Sequence, residues 1–216
     1  MRLLSGLVVL LAMLSSPAVA GTYTGCDRSE AAIISQSLDD AKTLTLKAAS
    51  AVGDTPEYVR WFGTYDQRNA ERVRATLKSI VTAIRAGAVT AQCEIVAPGA
   101  CNSDEYAYVY TDNPYLLHLC PNYFDLPSLT NLRPGTRRSD FGTREGTIVH
   151  ELSHFLHVAG TDDHCYSRSD CSAMAQRDSG LAIENADSYQ YFTEDVTYYA
   201  RQPIADKPPA APVRSR

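Results

Sequence analysis

The chain has no excess of positive charge: 20 Lys and Arg stand against 25 Asp and Glu in 216 residues, a net charge of −5. Binding nucleic acid or an anionic membrane surface takes a basic field, so neither partner is expected. Nor does the chain hold a run of the roughly 20 apolar residues that a membrane-spanning helix needs. Its one apolar stretch near the start, Gly6 to Leu14, is too short. No two cysteines stand in a CxxC pattern, which argues against a thiolate metal site, and no internal repeat is evident. Histidine is scarce, five in all, so where it falls is informative.

Arg2, the apolar stretch after it and Ala18-Val19-Ala20 read as a secretory leader over residues 1–20, cut between Ala20 and Gly21. Export to the periplasm or the exterior follows, and the mature protein loses only Arg2 among its charges. All six cysteines lie beyond the cut, as suits disulfides formed in an oxidising compartment. Residues 21–201 are long enough for one domain with a real core, and no large propeptide is expected ahead of it. The tail, residues 202–216, is rich in proline and ends in Arg214-Ser215-Arg216, so it is expected to be disordered.

Hydrophobic spacing predicts a helix from Ser29 to about Val52, with Ser29 as its cap, a short helix opened by Thr55-Pro56, and a third from Asp66 to Ala86 ending at Gly87. Tyr106 to Tyr110 and Tyr115 to Leu119 read as paired strands around Asp112-Asn113-Pro114. A loop follows from Pro127 to Arg138, then a helix over Gly142 to Val158, a segment at Ser172 to Ser179 and a last helix from Ile183 to Tyr199.

The Gly142–Val158 helix contains His150-Glu151-Leu152-Ser153-His154. Residues four apart on a helix lie about 40° apart around the axis and about 6 Å along it, so both imidazoles project from one face and can grip one ion. Glu151, beside the first imidazole, can take a proton from a water on that metal as the water attacks a carbonyl. A catalytic zinc uses three protein ligands and leaves a position for water. Asp162, Asp163, His164, Glu184 and Asp187 all follow, and His157 lies further along the helix. Ligand chemistry alone does not choose among them.

Gly160-Thr161-Asp162-Asp163-His164-Cys165-Tyr166 resembles the Gly-Thr-x-Asp-x-x-Tyr segment of the deuterolysin and peptidyl-Lys metalloendopeptidase family, the aspzincins. Thr22-Tyr23-Thr24-Gly25-Cys26, Trp61-Phe62-Gly63-Thr64-Tyr65, Ala107-Tyr108-Val109-Tyr110 and Asn185-Ala186-Asp187-Ser188 also look familial, so the resemblance covers nearly the whole mature chain. It implies an α+β, zincin-like fold, mainly helical with a small antiparallel sheet beside the metal helix. It implies a secreted zinc endopeptidase that acts on proteins or peptides, as a monomer with one Zn2+. Carried over by position, Asp163 is the third ligand beside His150 and His154, Glu151 the general base and Tyr166 the assisting hydroxyl. The disulfides implied are Cys26 with Cys93 and Cys101 with Cys120, leaving Cys165 with Cys171.

Local chemistry agrees with these roles. Gly160 can end the helix in a left-handed conformation and let a carboxylate fold back, and Tyr166 is placed to donate to a developing oxyanion. The Tyr106–Tyr110 strand, with Tyr108, is the candidate to hold an extended substrate by backbone hydrogen bonds. In relatives that cut before lysine, an Asp at position 187 and a Glu three residues later give the pocket its charge. Here the second is Gln190, which keeps a hydrogen-bond acceptor but withdraws a charge, so a weaker preference for Lys or Arg after the cut is expected. Two competing expectations are a thermolysin-like protease with Glu184 as third ligand and a non-catalytic binding or toxin module on the same fold.

Overall fold

The computed structural model describes residues 22–132 and 142–199. The leader, the tail and much of the Pro127–Arg138 loop lie outside the described residues. Within them a helical body carries one small sheet. β1 (Tyr23–Thr24) leads to α1 (Arg28–Ala51), α2 (Pro56–Phe62) and α3 (Gln67–Arg85). β2 (Thr90–Cys93), β3 (Ala107–Tyr108) and β4 (Leu116–Leu119) follow, then α4 (Pro121–Asp125), α5 (Arg144–His154), α6 (Arg168–Arg177), α7 (Ser179–Ile183) and α8 (Ala186–Tyr199).

The helices begin where side chains satisfy their first N–H groups. Asp27, not Ser29, caps α1. Its carboxylate accepts from the N–H groups of Ser29 and Glu30, and Glu30 reaches back to the Asp27 N–H at 2.7 Å. This reciprocal pair satisfies two orphan donors at once, which a serine inside the first turn cannot do. Thr55 caps α2 with Pro56 just inside, and Asp66 caps α3. Their apolar faces meet in one core around Ile34, Leu44, Tyr58, Trp61, Phe62, Leu77 and Ile80, closed by Ile148, Leu152, Phe155 and Phe192.

The expected sheet beside the metal helix is present, but it is mixed rather than antiparallel. Its order is β1-β2-β4-β3. β3 runs antiparallel to β4 with Tyr108 opposite His118, as the strand spacing predicted, whereas β1, β2 and β4 are mutually parallel. The parallel partners are separated by α1–α3 and by the segment bearing β3, so no local turn signal reveals them. Disulfides join Cys26 to Cys93, Cys101 to Cys120 and Cys165 to Cys171. The first ties the end of β1 to β2, and the second ties the 94–106 segment to β4. No helix among the described residues is long and apolar enough to cross a membrane.

Helix α5 is set by its close approach to α8. A Cβ on Gly146 would stand 2.2 Å from Glu194 Oε1 and 2.9 Å from Gln190 Cγ. That glutamate cannot step aside, because Thr143 and Arg168 hold both its oxygens. In an exposed helix Gly→Ala gains about 0.5–1 kcal/mol. Here the sign reverses: Gly146→Ala is expected to lower stability by about 1–3 kcal/mol, measured by urea denaturation.

Candidate metal centre

Thr143 starts α5, its hydroxyl accepting from the Gly146 N–H at 3.0 Å. Every residue from Glu145 to His154 is buried, so the helix carries its histidines through the interior to its C-terminal end. The helix stops at His154, short of the expected Val158, and His157 is therefore an exposed turn residue off the metal face. Phe155 leaves the helix with extended backbone, φ −61° and ψ 132°, and buries its ring against Tyr115. The turn ends at Gly160, whose φ of +60° is the left-handed conformation anticipated there. Thr161 then runs back beside the helix end. Its N–H donates to the Ser153 carbonyl at 3.2 Å, and its carbonyl lies 2.8 Å from His154 Nδ1.

This return brings Asp163 to the imidazoles. His150 Nε2 and His154 Nε2 are 3.1 Å apart, and Asp163 Oδ1 lies 3.3 Å from the first and 3.5 Å from the second. Ligands about 2.0–2.1 Å from a tetrahedral zinc are separated from one another by about 3.3 Å, so the three atoms outline one face of such a tetrahedron. The other ring nitrogens agree. His150 Nδ1 faces Asp187 Oδ1 at 2.8 Å, and His154 Nδ1 faces the Thr161 carbonyl. Both neighbours only accept, so in the neutral rings each Nδ1 carries the hydrogen and each Nε2 presents a lone pair. Two lone pairs and a carboxylate oxygen converging at the cleft call for a cation, and the residues fit zinc.

The titration of these groups shows the same demand. Burial lowers the His150 pKa, but hydrogen bonds with Asp163 and Asp187 outweigh it and hold the ring well above its ordinary value. Burial and the neighbouring His150 charge hold His154 below its own. Asp163 is opposed by burial yet kept low by its contacts with His150 and by a hydrogen bond from Tyr166.

Glu151 is buried beside the cage, a carboxylate oxygen within 4.8 Å of imidazole nitrogens of both histidines. Burial pushes its pKa up to about 7, against the pull of His150. The Tyr166 ring is 63% exposed at the rim. Partial burial and the Asp163 charge push its phenol up to about 12, so it remains a donor at neutral pH. Glu184 does not reach the site: its carboxylate is more than half exposed and sits 3.4 Å from Arg72. Asp162 lines the cleft and accepts from the Asp163 N–H, and His164 is exposed outside the cleft lining.

A cleft of about 600 Å3 opens over these groups, bounded by Asp104 to Val109 on one side and by Asp162, Tyr166, Gln190 and Tyr191 on the other. Asp187, expected in the substrate pocket, does line the cleft, but it is 5% exposed and its carboxylate bonds both His150 and Tyr191. Gln190 lies on the cleft wall between α5 and α8. The Tyr108 ring lines the cleft and stacks on His118 at 4.5 Å. Because the Cys120 N–H bonds the Tyr106 carbonyl, the alternation of an antiparallel ladder turns the N–H and C=O of Ala107 away from β4, along the open edge. Two contributors went unnoticed in the sequence: the Thr161 carbonyl, and Asn185, whose side-chain oxygen accepts from the N–H groups of His164 and Cys165 at 2.9 and 3.1 Å. The Asn185-Ala186-Asp187-Ser188 fragment was the available signal for the second.

Comparison with known proteins gives concordant matches. The family model described as lysine-specific metallo-endopeptidase, the aspzincins, matches residues 47–194. An extracellular protease of Aeromonas hydrophila is 34% identical over 188 residues, 85% of this chain and 49% of that protein. A peptidyl-Lys metalloendopeptidase of Pleurotus ostreatus is 29% identical over 81% of this chain and 96% of its own length. The chain spans about half the length of several other relatives, such as 46% of the peptidyl-Lys metalloendopeptidase of Armillaria mellea. Among solved structures, a zinc peptidase from Grifola frondosa shares the fold at a TM-score of 0.67 and 24% identity, over 79% of this chain and 97% of that one.

The partners of the two Nδ1 atoms set how well the cage binds. Asp187→Ala is expected to lower zinc affinity about 10–100-fold, read by competition with a chromogenic chelator, while His157→Ala leaves it unchanged.

Proposed function

Because this chain belongs to the aspzincin family of metallo-endopeptidases, we propose that it is a zinc endopeptidase that hydrolyses internal peptide bonds of proteins or peptides. His150, His154 and Asp163 hold one Zn2+, Glu151 is the general base and Tyr166 the oxyanion donor. The observation that carries this is the convergence of His150 Nε2, His154 Nε2 and Asp163 Oδ1, 3.1–3.5 Å apart beside a buried glutamate. When bound, zinc lowers the pKa of a water and polarises the scissile carbonyl.

The chain's own residues do the rest. An extended substrate pairs with the open edge of β3 at Ala107, which lays its carbonyl over the cage. Glu151 takes the proton of the attacking water and returns it to the leaving nitrogen, and a pKa raised by burial suits both halves of that transfer. The Tyr166 hydroxyl, at the exposed rim, turns from Asp163 to the carbonyl oxygen as charge develops there, where such a donor contributes most. Asp187 and the Thr161 carbonyl keep the two imidazoles aimed.

Basic side chains are favoured near the cut. Asp104, Glu105 and Asp162 line the cleft, and no Lys or Arg stands among its described lining residues. The neutral Gln190 and the engaged Asp187 make this preference weaker than strict lysine specificity. The relatives named for cutting at lysine point the same way. Three disulfides and the extracellular Aeromonas relative support export through the leader at residues 1–20. The net negative charge supports action as a free monomer, away from nucleic acid and anionic membranes.

Glu151→Gln is expected to keep one zinc per chain and to lose about 10²–10⁴-fold in turnover of a peptide substrate. A chelator should stop wild-type cleavage and added zinc restore it. A protein that cleaves casein equally well without metal would end the proposal. Digestion of a mixed peptide library should yield new amino termini enriched in Lys and Arg.

A further inference from the structure

Arg168 opens α6 two residues beyond Tyr166, and its guanidinium is buried, where an unpaired charge would be strongly destabilising. Nη1 donates to Asp195 Oδ1 at 2.7 Å and Nη2 to Glu194 Oε2 at 2.5 Å. The rings of Trp61 and Tyr191 lie against it, their centroids 5.4 and 4.6 Å from its central carbon. Asp195 is itself fixed, its second oxygen accepting from Trp61 Nε1 at 2.9 Å.

Two of these neighbours lead to the metal cage. Glu194 Oε1 accepts from the N–H and the hydroxyl of Thr143, at 3.0 and 2.9 Å, and Thr143 caps the helix that carries both histidines. Tyr191 hydrogen-bonds Asp187, which holds His150. A third route is covalent. Between Arg168 and Tyr166 stands Ser167 at φ +72° and ψ 147°, a conformation nearly confined to glycine. A serine stays there only if the chain is held on both sides. Asn185 and the Cys165–Cys171 disulfide hold one side, and the clamp on Arg168 holds the other.

We propose that Arg168 is a positioning residue: through Glu194, Asp195 and the strained Ser167 it holds the backbone of Tyr166, and so the reach of its hydroxyl, relative to the metal cage. It touches neither substrate nor metal. The inference rests on the endopeptidase proposal and on the part of Tyr166 in it.

The test is a double-mutant cycle on the zinc-loaded enzyme. Arg168→Lys keeps the charge and most of the stem but cannot span two carboxylates in one plane. It should lower kcat about 10–100-fold, with KM within about twofold and zinc content unchanged. The same substitution in a Tyr166→Phe background should then have no further effect on kcat, because the group it positions is gone. Effects that multiply in the double variant, or an Arg168→Lys protein that loses thermal stability alone and keeps its kcat, would overturn the inference. Asp195→Asn, which preserves shape, carries the same cycle with the same expected result if the lysine variant does not fold. A wild-type chain that cleaves no peptide, or a fully active Tyr166→Phe variant, overturns both proposals. An impaired Tyr166→Phe with multiplying Arg168 effects overturns this one alone.

Discussion

Three electron-rich atoms pressed within 3.5 Å of one another are the constraint from which the rest of this structure follows. Such atoms repel unless a positive charge lies between them, so the fold must hold them by force from outside. It does this by burying α5 almost entirely, stopping it at the second histidine and turning the chain back at Gly160. A cation relieves the repulsion, so its binding energy adds to the stability of this arrangement. The packing of α8 against α5 and the hydrogen bonds behind each imidazole are the mechanical counterpart of that electrostatic load.

Much of this was legible in the residue order because it depends on local periodicity. The i, i+4 histidines, Thr55-Pro56 and Asp66 each announce a helix feature within one turn of the chain. The β3–β4 pairing was readable for the same reason, as an antiparallel neighbour across a short connection. What failed to show were relations between distant segments. Parallel pairing of β1 with β2 leaves no turn signature, and α5 ends early where Phe155 takes extended backbone and packs its ring on Tyr115, a contact distant in the chain. Asp187 is instructive, since its sequence position suits a pocket carboxylate, while its bond with His150 spans 37 positions and leaves no local signal.

Helix α8 shows why a polar pattern can mislead. Asp187, Gln190, Thr193, Glu194 and Asp195 would mark a solvated face, but all are buried. Most meet a partner on another helix or at its cap: His150, Thr143, Arg168 and Trp61. Apolar substitutes of like volume could pack there, often with equal or better stability. They could not fix the relative rotation of three helices, because dispersion contacts are tolerant of direction and hydrogen bonds to charged groups are not.

The open edge of β3 is only two residues long and lines the cleft. On the proposed function, a ladder that short would pair only with main chain whose own N–H and C=O groups are unspoken for, which excludes any segment already engaged in a helix or sheet. Susceptibility of a folded target would then be governed by how often a stretch of it comes loose, so that the stability map of the victim, as much as the identity of its side chains, decides where it is cut.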